Sequence, residues 1–171
     1  MRIAGIIKNS VVNGIGVRDV IFFQGCEHRC KGCHNPHTWN KDGGEERTID
    51  EIADELSESK NNVTISGGEP LLQFDSLVRL LMKLHLQGKT IWLYTGYTFE
   101  ELPYYVKWML SHYVEVLIDG KFEEDKKNLS LSFRGSSNQR LINLKKSLEM
   151  YTLVEWEDTK CLNYGENTHL S

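Results

Sequence analysis

Nothing in these 171 residues resembles a membrane span or a polycation. No apolar run approaches the roughly 20 residues that a membrane-spanning helix needs. The apolar start, Met1 to Ile7, is interrupted by Lys8 and Asn9 before it reaches the length of a signal-peptide core. Positive charge is not in excess: 20 Lys and Arg stand against 24 Asp and Glu, a net charge of −4. That leaves no electrostatic case for nucleic acid or an anionic membrane surface as the main partner. The short basic pairs Lys126-Lys127 and Lys145-Lys146 read as solvated faces. Internal repeats, low-complexity tracts and linkers are absent, so residues 1–171 read as a single domain able to bury a sizeable core. Cysteine is scarce, but three of the four crowd into eight residues. With no export signal the expected compartment is the cytosol, where thiols stay reduced, and such a cluster then points to metal rather than disulfides.

Apolar spacing orders the elements. Arg2 to Ile7 reads as a strand, and Asn9 to Gly16 as a turn-rich stretch. Val17 to Gln24 is a second strand, rich in β-branched and aromatic residues. After a turn at Lys41-Asp42-Gly43-Gly44, Thr48 and Glu51 stand at capping-box spacing ahead of a stripe of Ile49, Ile52, Ala53 and Leu56. Val63 to Ile65 follows as a short buried strand. Phe74, Leu77, Val78, Leu81 and Leu84 then mark a helix that Gly88 stops. Thr90 to Tyr94 is the next strand. Thr98 and Glu101 repeat the capping pattern before a helix with Leu102, Tyr105, Val106, Met109 and Tyr113 on one side and Pro103 in its first turn. Val114 to Ile118 is a further strand. The tail reads as a strand from Gln139 to Leu144, a helical turn from Lys145 to Met150 and a last strand from Thr152 to Trp156.

This β-α-β-α-β-α-β order predicts an α/β fold with parallel strands and right-handed crossovers. A full eight-fold barrel takes about 250 residues, so only a partial (β/α) barrel, open on one side, fits the length. Chemistry in such folds gathers at the C-terminal ends of strands. The cysteine loop, Gly67-Gly68-Glu69-Pro70, Thr95-Gly96 and Asp119-Gly120-Lys121 each follow a strand.

Cys26, Cys30 and Cys33 have the spacing Cys-x3-Cys-x2-Cys. Thiolates so spaced can wrap one metal centre, and their softness suits zinc or iron–sulfur. A structural zinc takes four ligands. Cys161 is remote, but His28, His34 or His37 can supply the fourth, so the spacing leaves a non-catalytic zinc module open. In a four-iron cluster, three cysteines leave one iron free, and an open metal position is what a catalytic site keeps.

The cysteine motif after an early strand resembles that of the radical S-adenosylmethionine (SAM) superfamily, and Ser66-Gly67-Gly68-Glu69-Pro70 resembles its GGEP motif. Several further segments are similar to activating proteins of anaerobic ribonucleotide reductases. They are Gly25-Cys26 through Cys33-His34-Asn35-Pro36 with Thr38-Trp39, Leu93 to Tyr97, Leu117 to Phe122, and Arg134 to Arg140. The resemblance runs from Arg2 to about Ile142. It implies a partial, open barrel of the radical SAM type. It also implies a [4Fe–4S] cluster on Cys26, Cys30 and Cys33, and SAM chelated to the open iron. By the same likeness Ser66, Gly67, Gly68 and Glu69 contact the SAM amino group. The glycines there permit close backbone approach to a ligand, and Glu69 can accept from an ammonium. His34, Tyr94 and Thr95 are placed near SAM. Asp119 is assigned to SAM or a monovalent cation, or else to a plain turn. Arg134 and Arg140 engage the partner or SAM, or are solvated. Two departures stand out: Gly32 occupies a position before the third cysteine that is often aromatic, and the long C-terminal glycine-and-glutamate motif of larger relatives is not evident.

The implied reaction is one-electron cleavage of SAM to methionine and a 5′-deoxyadenosyl radical, which removes a hydrogen from a substrate. The cofactor carries this chemistry, and no catalytic side chain beyond the cluster ligands is expected. The implied partners are an anaerobic ribonucleoside-triphosphate reductase, as protein substrate for a glycyl radical, and an external one-electron donor. Activation of another glycyl-radical enzyme, such as pyruvate formate-lyase, is the alternative within the superfamily.

Overall fold

A computed structural model describes residues 1–157. Cys161, read above as remote from the other three cysteines, lies outside the described residues. The strands are β1 (Arg2–Ser10), β2 (Arg18–Phe23), β3 (Glu45–Glu46), β4 (Asn62–Gly67), β5 (Ile91–Tyr94), β6 (Val114–Asp119) and β7 (Arg140–Ile142). The helices are α1 (Ile49–Ser57), α2 (Phe74–Leu86), α3 (Tyr104–Ser111) and α4 (Leu144–Glu149). The strands form one mixed sheet in the order β3-β1-β2-β4-β5-β6-β7. Its centre, β2-β4-β5-β6, is parallel, as the alternating pattern from Val17 to Ile118 predicts. The flanks are antiparallel: β1 forms a hairpin with β2, β3 pairs with β1, and β7 pairs with β6.

Alternation along the strands separates two faces. Ile21, Phe23, Val63, Ile65, Ile91, Leu93 and Leu117 pack with α1 to α4 residues such as Leu56, Leu81, Leu110 and Leu144. Trp92, Val116 and Ile118 pack instead with Ile15, Tyr94, Phe133, Leu141 and Trp156. Central strands buried on both sides account for their near-continuous apolar runs. Arg18, 2% exposed, is held at the foot of this second face. It donates to Thr64 Oγ1 at 2.8 Å, Val63 O at 2.7 Å and Thr90 O at 2.9 Å. Its guanidinium also lies 5.3 Å from the Trp92 ring centre, and burial lowers its pKa to about 10.

The Thr48 capping box forms as expected. At Thr98 the same reciprocal bonds form, but they close only a single turn. Pro103 forces the residue before it out of helical backbone, so α3 starts at Tyr104. Tyr105 is consequently mostly exposed, and Leu102, Val106 and Leu110 make the buried stripe. The tail is shorter than its spacing suggests. β7 has three residues, and the expected strand from Thr152 to Trp156 reduces to an isolated bridge between Glu155 and Ile142.

Candidate functional site

The segment between β2 and β3 is a loop tied down at both ends. Gly25 N donates to Thr38 O at 2.7 Å and Cys26 N to Trp39 O at 3.1 Å, closing it. The Gln24 side chain reaches His37 O and Asn40 O. The next strand end is stitched to its start: Gly68 N donates to Phe23 O and Glu69 N to Gly25 O, each at 2.8 Å. A Cβ on Gly67 would lie 2.3 Å from Phe23 N, and one on Gly68 would lie 2.2 Å from Gly25 O. The close approach these glycines permit is therefore, in the first place, to the chain's own backbone leading into Cys26. The sequence reading assigned it to a ligand.

Among the described residues Cys26, Cys30 and Cys33 are unpaired, and each is half-buried. They open on one cleft of about 400 Å³ at the C-terminal ends of the central strands. His34, Ser66, Gly67, Gly68, Tyr94 and Thr95 line the same cleft, so most of the residues singled out above converge there. Burial pushes the Cys26 and Cys30 thiols above their usual range. Metal-free, they are protonated at neutral pH, and loading a metal centre releases protons. Among the described residues no three His, Cys, Asp or Glu side chains close around a single ion; a four-iron cluster instead takes each thiolate on a different iron.

Glu69 and Asp119 are not on the cleft wall. Glu69 is 1% exposed, and its oxygens accept from Thr95 Oγ1 at 3.0 Å, Gly96 N at 2.8 Å and Leu71 N at 3.0 Å. His28 Nε2 lies 2.9 Å from Glu69 Oε2. With that donor set the carboxylate bolts the cysteine loop to the ends of β4 and β5. Asp119 is fully buried. It accepts from Arg140 at 2.5 and 3.0 Å and from Phe99 N at 2.7 Å, and Arg140 also grips Glu100. Glu69, expected to face a ligand, and Asp119, read either as facing one or as a plain turn, both have partners within the protein.

Several wall residues carried no individual role in the sequence reading. Phe122 lies 4.9 Å, ring centre to ring centre, from His34, and a Cβ on Gly32 would meet it at 3.2 Å. An aromatic side chain from the segment after β6 thus packs against the position where an aromatic is often found before the third cysteine. Among the described residues the charged side chains on the wall are Lys121 and Arg134, with the imidazoles of His28 and His34 beside them, and no Asp or Glu lines it. Trp39 Nε1 and Arg134 Nε, both from wall residues, are buried without an acceptor among the described residues. Three soft thiols at one end of a cleft whose described wall has spare donors and no carboxylate suit an iron–sulfur cluster.

A family model described as a 4Fe-4S single cluster domain matches residues 12–142, which contain most of the cleft wall. A protein of Escherichia coli (strain K12) is 36% identical over 145 residues, covering 79% of this chain and 94% of its own length. One from Enterobacteria phage T4 is 41% identical over 139 residues, covering 76% and 86%. One from Haemophilus influenzae is 37% identical over 140 residues, covering 75% and 89%. All three carry the name anaerobic ribonucleoside-triphosphate reductase-activating protein. With an iron–sulfur family match across the cleft and relatives aligned over most of both chains, this protein belongs to the family of anaerobic ribonucleoside-triphosphate reductase-activating proteins.

Proposed function

We propose that this protein is a radical SAM activase that generates a glycyl radical on an anaerobic ribonucleoside-triphosphate reductase. In this reading the open sheet is a partial (β/α) barrel, and Cys26, Cys30 and Cys33 hold the [4Fe–4S] cluster. The observation that carries it is the convergence of those three unpaired thiols with Ser66, Gly67, Gly68, Tyr94 and Thr95 on one cleft, in a chain of this family. When bound, the cluster supplies an open iron and, from an external donor, the one electron that cleaves SAM to methionine and a 5′-deoxyadenosyl radical, which takes hydrogen from the partner's glycine.

The chain's own residues position and enclose. The His28–Glu69–Thr95 bonds hold the cysteine loop against the strand ends. Gly67 and Gly68 let β4 seat under Gly25. Lys121 and Arg134 give the wall positive groups that suit a carboxylate such as that of SAM, whose net charge is itself positive. The cleft is open, and an entering protein loop excludes water from it, which protects a reactive intermediate. Glycine suits that loop because it allows another backbone to approach closely. The test is electron paramagnetic resonance on the reductase after anaerobic incubation with this protein, SAM and a reductant. A glycyl doublet that requires all three is expected; efficient SAM cleavage without a doublet points to another substrate.

A further inference from the structure

One arginine on the cleft wall is held in place while most of its donors go unused. The other arginines that are at least half-buried are spoken for. Arg18 bonds two carbonyls and a hydroxyl, Arg2 donates to Gly43 O, Arg47 to Glu55, and Arg140 to Asp119 and Glu100. Among the described residues Arg134 makes a single side-chain bond, from Nη1 to Gln139 O at 3.3 Å. Its Nε is buried without an acceptor among the described residues. The Nε edge of a guanidinium is one of the two that offer a carboxylate a pair of parallel N–H bonds.

The loop that carries this arginine is fixed on both sides. Gln139 Oε1 accepts from Gly135 N at 2.9 Å and Ser136 N at 3.3 Å, and Gln139 Nε2 donates to Gly120 O at 3.0 Å. Tyr94 Oη donates to Phe133 O at 2.7 Å. The base of Arg134 is therefore ordered before any ligand arrives, which lowers the cost of binding. Among the described residues no carboxylate lines the cleft to pair with it, and a buried donor without a partner is costly.

We propose that Arg134 is a carboxylate-binding residue of the cleft, its free edge waiting for an acid group brought by a ligand. Two sources carry that chemistry. One, resting on the SAM reading above, is the methionyl carboxylate of SAM; the other is an acidic side chain of the protein substrate.

The test compares wild type, Arg134→Gln and Arg134→Lys, each loaded with cluster under anaerobic conditions. Calorimetric titrations with SAM, with decarboxylated SAM and with the reductase are read alongside iron content. Both variants are expected to keep wild-type iron and to lose about 10- to 100-fold in one affinity, the size of a charge-assisted hydrogen bond. If SAM is the source, its affinity falls while that of decarboxylated SAM holds. If the partner is the source, SAM affinity holds and reductase affinity falls. Wild-type affinity for both ligands overturns the proposal. So does loss of iron, which assigns Arg134 to holding the loop. If wild type itself binds no SAM, the SAM reading fails, and the reductase titration still decides the role of Arg134.

Discussion

Replacing Gly68 by alanine separates two accounts of the glycine pair. A Cβ at this position lies 2.2 Å from Gly25 O and 2.8 Å from Gly25 C. Carbon–oxygen contact is ordinarily no closer than about 3.3 Å, so the Gly25 carbonyl must retreat by about 1 Å. That carbonyl accepts the 2.8 Å bond from Glu69 N, and it immediately precedes Cys26. Overpacking of this kind costs about 1–3 kcal/mol. Loss of the backbone bond adds about 0.5–1.5 kcal/mol, for a total of about 2–4 kcal/mol. Against a native stability of about 5–15 kcal/mol, the chain still folds, but with its cysteine loop displaced. For a urea slope near 2 kcal/mol/M, the midpoint of the metal-free protein falls by about 1–2 M. Iron and sulfide retained after anaerobic reconstitution fall with it, and SAM affinity falls as a consequence. A variant with wild-type midpoint and iron content that has lost only SAM affinity would refute this account and return Gly68 to the ligand.

The remaining expectations concern the metal centre and acid stability. Cys26→Ala, Cys30→Ala and Cys33→Ala each abolish cluster retention and SAM cleavage, whereas Cys161→Ala retains both; iron analysis and product chromatography decide, and cluster loss in a folded Cys161 variant overturns the three-thiol assignment. Asp19 is fully buried; burial pushes its carboxyl pKa up, but bonds from Asn61, Ser59 and Asn9 N, with Lys8 nearby, more than offset this and hold it below the usual value. Its folded pKa being depressed, the stability it contributes is present above the unfolded value near about 3.9 and is lost as pH falls through the folded one. Urea midpoints across this acid range drop less steeply for Asp19→Asn than for wild type, and parallel curves rule the linkage out.

What the sequence discloses about this fold depends on how far apart the interacting residues lie. The box at Thr48 and Glu51 is legible because both partners sit within one turn, and the stripe that follows them is uninterrupted. The same signal at Thr98 misleads because the next proline acts on the backbone, which apolar periodicity does not register. β3 has two residues, both exposed, and offers no pattern to read. Within the site, the thiols and the glycine pair are legible as local motifs. The partners of Glu69 are not. Thr95, Gly96 and His28 lie 26, 27 and 41 residues away along the chain, and only the packing of the cysteine loop over β4 and β5 brings them together. Asp119 and Arg140 are likewise joined by the β6–β7 pairing. The protein partners of a motif glutamate or aspartate stay unread for as long as they lie far along the chain.

Those distant partners determine the character of the cleft. Glu69 is spent on the cysteine loop and Asp119 on Arg140, so the acids nearest the strand ends are drawn into the scaffold while Lys121 and Arg134 stay on the wall. An acidic protein thereby presents a positive cleft. The same bonds also order the loop. Its ends are closed by Gly25–Thr38 and Cys26–Trp39 and it is stitched to β4 at Gly68 and Glu69, so much of its conformational entropy is spent when the sheet folds. In small zinc domains the metal supplies the folding energy outright. Here a core of strands and four helices, running from Ile3 to Leu144, does that work, and the cysteine loop is held by the protein rather than by the metal it is read to carry.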